Sequence, residues 1–206
     1  MNIDEFKSKV NEIMEQIFGD GQYEEDAYRI VVDDLGLFEG CAIVEALFEN
    51  GLYDEAPYPV MHFHVTITDN VPEENFDKLK RGISELNNAI AREKFKALGM
   101  FGLYEPFGQV YLTYRLPCNI DMLEEELFNV KYFLGSLYEE LDLFVDYFFF
   151  LINAQEEISL DDYMGFLEKT INGAEEENED ERFRLTEEQR ESIRQASAEL
   201  HMYLDS

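Results

Sequence analysis

The side chains best placed for chemistry in this sequence are two histidines and a pair of aspartates. His62 and His64 stand two apart in the run Val60–Thr68, and a strand there turns both imidazoles to one face. That spacing is able to hold a metal. The one other histidine is His201, near the end of the sequence, so a carboxylate would have to complete the set; the competing reading is a polar strand face. Asp142 and Asp146 lie one helical turn apart, with Glu139 one turn earlier. Paired carboxylates on a helix bind a cation or share a proton. Di-metal bundles also need Glu-x-x-His, which this sequence lacks, and a solvated helix face is the simpler reading. Asp20–Asp26 alternates oxygen ligands at first but misses the central glycine and closing glutamate of an EF-hand loop. Cys118 precedes a long helix, whose field could lower its pKa, though a small residue at the core edge fits equally. No Gly-x-Ser-x-Gly and no Gly-Lys-Ser/Thr occurs. The residues therefore predict no catalytic group, no cofactor and no metal.

The elements that would position these groups follow from periodicity. Ile3, Phe6, Val10, Ile13 (or Met14) and Ile17 recur at three and four, one face of a helix closed by Gly19-Asp20-Gly21. Strands are predicted at Tyr28–Asp33, Cys41–Phe48 and Val60–Thr68. In the last, Met61, Phe63, Val65 and Ile67 share one face and His62, His64, Thr66 and Thr68 the other, wet one. A helix is predicted over 73–93 behind Pro72, with Phe76, Leu79, Ile83, Leu86 and Ile90 as its apolar stripe. Two strands follow, Phe95–Tyr104 and Val110–Leu116, and Gly99 and Gly102 suggest a bulge or a close backbone approach. A long helix begins near Asp121. Its positions Leu123, Leu127, Val130, Leu134, Leu137, Leu141, Phe144, Phe148 and Leu151 alternate steps of four and three, a coiled-coil-like seam. At roughly 45–50 Å it must cross the domain, break near Gly135 or reach into a partner. Its end, FVDYFFFLI, is apolar nearly all round and calls for burial on several sides. Ser159…Asp162 and Thr186…Gln189 read as capping boxes of two further helices.

The expected fold class is α+β: an antiparallel sheet of about five strands in the order α-β-β-β-α-β-β-α, with extra C-terminal helices. One domain spans 1–171, an acidic linker 172–184, and an amphipathic helix 185–206. That last helix either docks on the body or finds a partner.

Charge bounds the function. Forty-six acidic residues face sixteen Lys and Arg in 206, a formal net charge of −30. Such a surface repels nucleic-acid phosphates and anionic lipid, so neither is an expected partner. The charge is uneven: residues 1–72 hold sixteen acids and three bases, 73–120 six and seven, 121–206 twenty-four and six. The middle is thus the part able to approach another surface. No stretch is long and apolar enough to span a bilayer. The start lacks a signal-peptide pattern and there are two cysteines, which together point to reduced thiols in a cytoplasmic protein.

The element order, the acidity and the stretch FKALGMFGLYEPFGQVYLTYRLPC leading into an aromatic, acidic helix resemble the type III secretion chaperone-like fold, also found in the YbjN-like family of small acidic proteins. The resemblance covers about residues 1–155. It implies a non-enzymatic, chaperone-like or regulatory protein that dimerises and binds a protein partner or extended peptide segment by β-augmentation or in a groove. About fifty residues after the long helix depart from that plan. The expected partner-facing residues are Leu127, Leu134, Leu141 and Phe148 on the seam, and Lys78 and Arg81 on the helix before it. Two other readings stay open. One is an acidic inhibitor or immunity-type protein that neutralises a basic partner; the other is a metal-dependent hydrolase using His62 and His64.

Overall fold

The computed structural model describes residues 3–24, 27–49, 60–92, 99–119, 121, 123–154, 156–171 and 181–204. Helix α1 (Ile3–Phe18) precedes strands β1 (Gln22–Glu24), β2 (Ala27–Leu35), β3 (Gly40–Glu49) and β4 (Val60–Thr68). A 3-10 turn at Glu73–Asn75 leads into α2 (Phe76–Ala91). Strands β5 (Met100–Tyr104) and β6 (Gln109–Pro117) follow, then α3 (Leu123–Asn153), α4 (Leu160–Ile171) and α5 (Glu187–Leu204). The fold is α+β, as the sequence predicts, with the strands in one antiparallel sheet ordered β1-β2-β3-β4-β6-β5. The sixth strand, β1, is three residues long and too short to show an alternation. The predicted start of β5 at Phe95 lies outside the described residues, as do most of the linker and the turn before β4.

Strand alternation divides the sheet into two faces. Tyr28, Ile30, Val32, Ala42, Val44, Ala46, Met61, Phe63, Val65, Val110 and Leu112 point into the main core, which α1, α2 and α3 supply from above. In α1 the buried stripe is Phe6, Val10 and Met14, with Ile13 and Ile17 half-buried beside it. Phe6 meets Phe48 edge-to-face at 6.2 Å.

The opposite face is not uniformly wet. Cys41 and Ile43 point there, form a small cluster of their own with Val31, and are buried. Helix α5 packs against β3 and β2 on this side. Thr66 and Thr68, expected to be solvated, are buried as well, and Thr66 Oγ1 accepts a hydrogen bond from Gln109 Nε2 at 2.8 Å. So α5 docks on the body. Phe183, Leu185 and Ile193 belong to the core, and Gln189 Nε2 donates to Asn153 O at 2.9 Å. The linker therefore ends earlier than predicted, because Phe183 anchors the chain.

Both capping boxes form. Asp162 N–H donates to Ser159 Oγ (3.1 Å) while Ser159 N–H donates to Asp162 Oδ2 (3.1 Å). Gln189 N–H donates to Thr186 Oγ1 (3.2 Å) and Thr186 N–H to Gln189 Oε1 (2.8 Å).

Helix α3 runs unbroken through Gly135 for 31 residues, about 46 Å at 1.5 Å per residue. Its aromatic end is buried on all sides for a visible reason. Phe148 meets Phe101 of β5 at 5.3 Å, while Phe150 meets Phe38 at 5.3 Å, Phe183 at 5.0 Å and Phe166 of α4 at 5.5 Å. Tyr163 of α4 donates to Leu143 O at 2.7 Å.

Candidate interaction surface

Among the described residues, α5 packs over β2 and β3, and farther along the outer face His62 and His64 of β4 and Tyr111 and Thr113 of β6 stay partly exposed. Register places His64 beside Thr113 and Thr113 beside Met100; Thr66 is beside Tyr111 and Tyr111 beside Gly102. His64 stacks on Tyr111 with ring centroids 5.3 Å apart. A Cβ on Gly102 would come within 2.5 Å of the Tyr111 ring and displace it, so the close approach at this glycine is by a side chain and not by the backbone its sequence position suggested.

The β5–β6 hairpin carries exposed apolar side chains to the end of this face. Met100, Tyr104 and Phe107 (65 % exposed) stand on it, Tyr104 and Phe107 with rings 5.4 Å apart. Their support is rigid. Asn70 N–H donates to Phe107 O at 3.0 Å and Val71 N–H to Gly108 O at 3.1 Å. Gly108 sits at φ +57, and a Cβ there would run into the Val71 backbone.

A shallow groove of about 400 Å³ lies between this hairpin and α2, lined by Lys80, Ile83, Ser84, Asn87, Asn88, Leu103 and Glu105. Lys80 Nζ and Glu105 Oε1 close one end at 3.0 Å. Asn87 does more than line it: Nδ2 donates to Phe101 O (2.9 Å) and Oδ1 accepts from Phe101 N–H (3.0 Å). Its amide thus takes the place of a neighbouring strand on edge strand β5, where unpaired backbone would otherwise invite pairing. The other edge strand is the three-residue β1.

The predicted partner residues land elsewhere. Leu134, Leu141 and Phe148 are buried in the chain's own core, and Leu127 is half-buried against it. The regular seam is satisfied by the sheet and α1, which leaves it no reason to seek a partner. Lys78 Nζ donates to Ala154 O at 2.8 Å and so ties α2 to the end of α3. Arg81 pairs with Glu157 at 2.7 Å in an exposed position. Sequence reasoning missed Phe128 and Tyr132 (72 % and 65 % exposed), on the α3 face opposite the seam. The signal was present: two aromatics four apart that no seam position accounts for.

The paired carboxylates do not form a solvated face. Asp142 is exposed, but Asp146 is 1 % exposed. Both receive the β2–β3 turn: Gly36 N–H donates to Asp142 Oδ1 at 2.9 Å and Leu37 N–H to Asp146 Oδ2 at 2.5 Å. Gly36, at φ +71, would place a Cβ 2.6 Å from the Asp146 carboxyl. Burial pushes the Asp146 pKa up to about 6, against the Leu37 and Phe38 N–H groups and with help from Asp142. Positions filled by N–H donors suit an anion, so this pair is a structural clasp.

His62 Nδ1 donates to Glu49 Oε1 at 3.0 Å, since a carboxylate only accepts, and Nε2 lies 2.9 Å from Thr113 Oγ1. Both ring nitrogens are thereby engaged. Burial lowers the His64 pKa, against the pull of Glu45. Among the described residues no group of three or more His, Cys, Asp or Glu is placed to hold a metal. Cys118 is buried and its pKa rises to about 12, through burial and then Glu126, the reverse of an activated thiol.

No protein-family model matches the sequence, and neither the curated proteins nor the solved structures give a significant match. The resemblance to the secretion-chaperone fold therefore rests on element order, acidity and the quoted stretch. Among the described residues no helix is long and apolar enough to cross a membrane.

Proposed function

We propose that this chain is a non-enzymatic, cytoplasmic protein-binding protein, chaperone-like or regulatory, that works as a homodimer. The observation that carries the reading is the partly exposed half of the outer sheet face that ends in the β5–β6 hairpin. There Met100, Tyr104 and Phe107 are exposed on a rigid hairpin, within the segment 73–120 where acids and bases balance. Two copies of a chain with a charge of −30 meet with least repulsion through such a neutral patch. A face-to-face contact is favoured over β-augmentation, because Asn87 occupies the N–H and C=O of Phe101 in edge strand β5. Cys41 and Cys118 are buried in separate clusters, in keeping with a reducing compartment.

Light scattering on size-exclusion fractions at micromolar concentration tests the dimer. The expected species has twice the 24.2 kDa chain mass, and Tyr104→Asp with Phe107→Asp converts it to the monomer. A wild-type monomer would remove this reading. The second reading, an acidic protein that neutralises a basic partner, draws support from the exposed acids of α3.

A further inference from the structure

Among the described residues, the large exposed aromatics outside the hairpin are Phe128 and Tyr132, on the α3 face opposite the seam. Phe128, Tyr132, Gly135 and Glu139 follow one another at four, three and four, so they form a single stripe along the helix. Both aromatics are solvent-facing, and a Cβ built on Gly135 meets no atom within 4 Å. The core seam lies half a turn away, so burying this stripe would not disturb the fold. Glu124 and Glu125 flank its start, and Glu139 and Asp142 its end, all exposed, against one lysine, Lys131. The stripe stops where the β2–β3 turn sits on Asp142 and Asp146, and Leu37 of that turn is itself exposed. From Glu124 to Asp142 the surface is about 27 Å long, or five helical turns.

We infer that this stripe binds an amphipathic, basic helical segment of a partner protein. Aromatic anchors four residues apart, with an open glycine one turn on, fit the apolar face of a helix laid alongside. The acidic margins select lysine and arginine on that helix's flanks. The same margins disfavour a second copy, which would bring eight acids against two lysines. The inference rests on the reading that the chain binds proteins, but not on its dimerisation.

The test is fluorescence-anisotropy titration of the full chain with a synthetic 18-residue Leu/Lys amphipathic helix. A scrambled peptide of identical composition serves as control. Binding should weaken by about ten-fold or more for the scramble and for the double variant Phe128→Ala, Tyr132→Ala. Glu124→Gln, Glu125→Gln and Glu139→Gln together should flatten the salt dependence. Circular dichroism melts of the variants should match wild type, since these side chains are exposed. Equal affinity for peptide and scramble, or an undiminished double variant, would show charge attraction alone and overturn the inference. So would loss of self-association in the double variant, which assigns the stripe to a second copy. Loss of the dimer in the hairpin variant, with peptide binding intact, would leave this site standing.

Discussion

Asp146 shows most plainly how one side chain can be read two ways. From spacing it belongs with Asp142 as a cation or proton site; from its surroundings it is an acceptor for the Leu37 N–H. The groups around it are Asp142, Tyr163 and the turn's backbone, and Tyr163 is itself raised by burial and by the two aspartates. Its folded pKa of about 6 stands above the ordinary 3.8, so the folded state holds the proton more tightly than the unfolded one. The stability it contributes is therefore present below about pH 4 and lost as pH rises through 6. Asp146→Asn removes that dependence. The difference in unfolding free energy between variant and wild type should move in the variant's favour between pH 4 and 7, by on the order of 2–3 kcal/mol. Urea melts at several pH values measure it; parallel curves would mean that Asp146 does not titrate in this window. A second residue-scale prediction concerns Asn87. Asn87→Leu leaves the Phe101 N–H and C=O unpaired at the sheet edge. It should cost about 1–3 kcal/mol and raise the tendency to aggregate, read by melts and turbidity.

At the scale of elements, the two long faces of α3 make opposite predictions. Leu141→Ala and Phe148→Ala should each destabilise by about 2–5 kcal/mol in chemical denaturation, because both side chains are buried. Phe128→Ala should stay within about 0.5 kcal/mol of wild type. Equal losses would mean that the stripe is buried. The existence and order of the elements were legible because each buries one regular face. Met61, Phe63, Val65 and Ile67 in β4 and the four-three seam of α3 follow from geometry alone. Both capping boxes were legible too, since their partners are three residues apart. What could not be read depends on contacts distant in sequence. The clasp joins Leu37 to Asp146 across more than a hundred positions. The cover over Cys41 and Ile43 comes from a helix at the far end of the chain, whose narrow stripe suited a free tail as well as a docked one. The seam misled for a related reason: regular apolar spacing says that a face is buried, and not by what.

Across the whole molecule, the charge and the fold divide the surface. The acidic helices α1 and α3 cover the inner face of the sheet, while the outer face carries α5 and, beside it, the neutral hairpin and strands in which His64, Tyr111, Tyr104 and Phe107 supply the aromatic area. Self-association through the hairpin should therefore persist, or strengthen, as salt screens the remaining repulsion. Binding of a basic segment to α3 should weaken under the same change. The central claim is that the neutral sheet face pairs two copies. Light scattering of the full chain at micromolar concentration in 0.15 and 0.5 M salt, beside the Tyr104→Asp, Phe107→Asp variant, tests it most directly. Twice the 24.2 kDa chain mass for wild type at both salts, and the single-chain mass for the variant, is the predicted result. A wild-type monomer, or a dimer that the variant leaves intact, would contradict it.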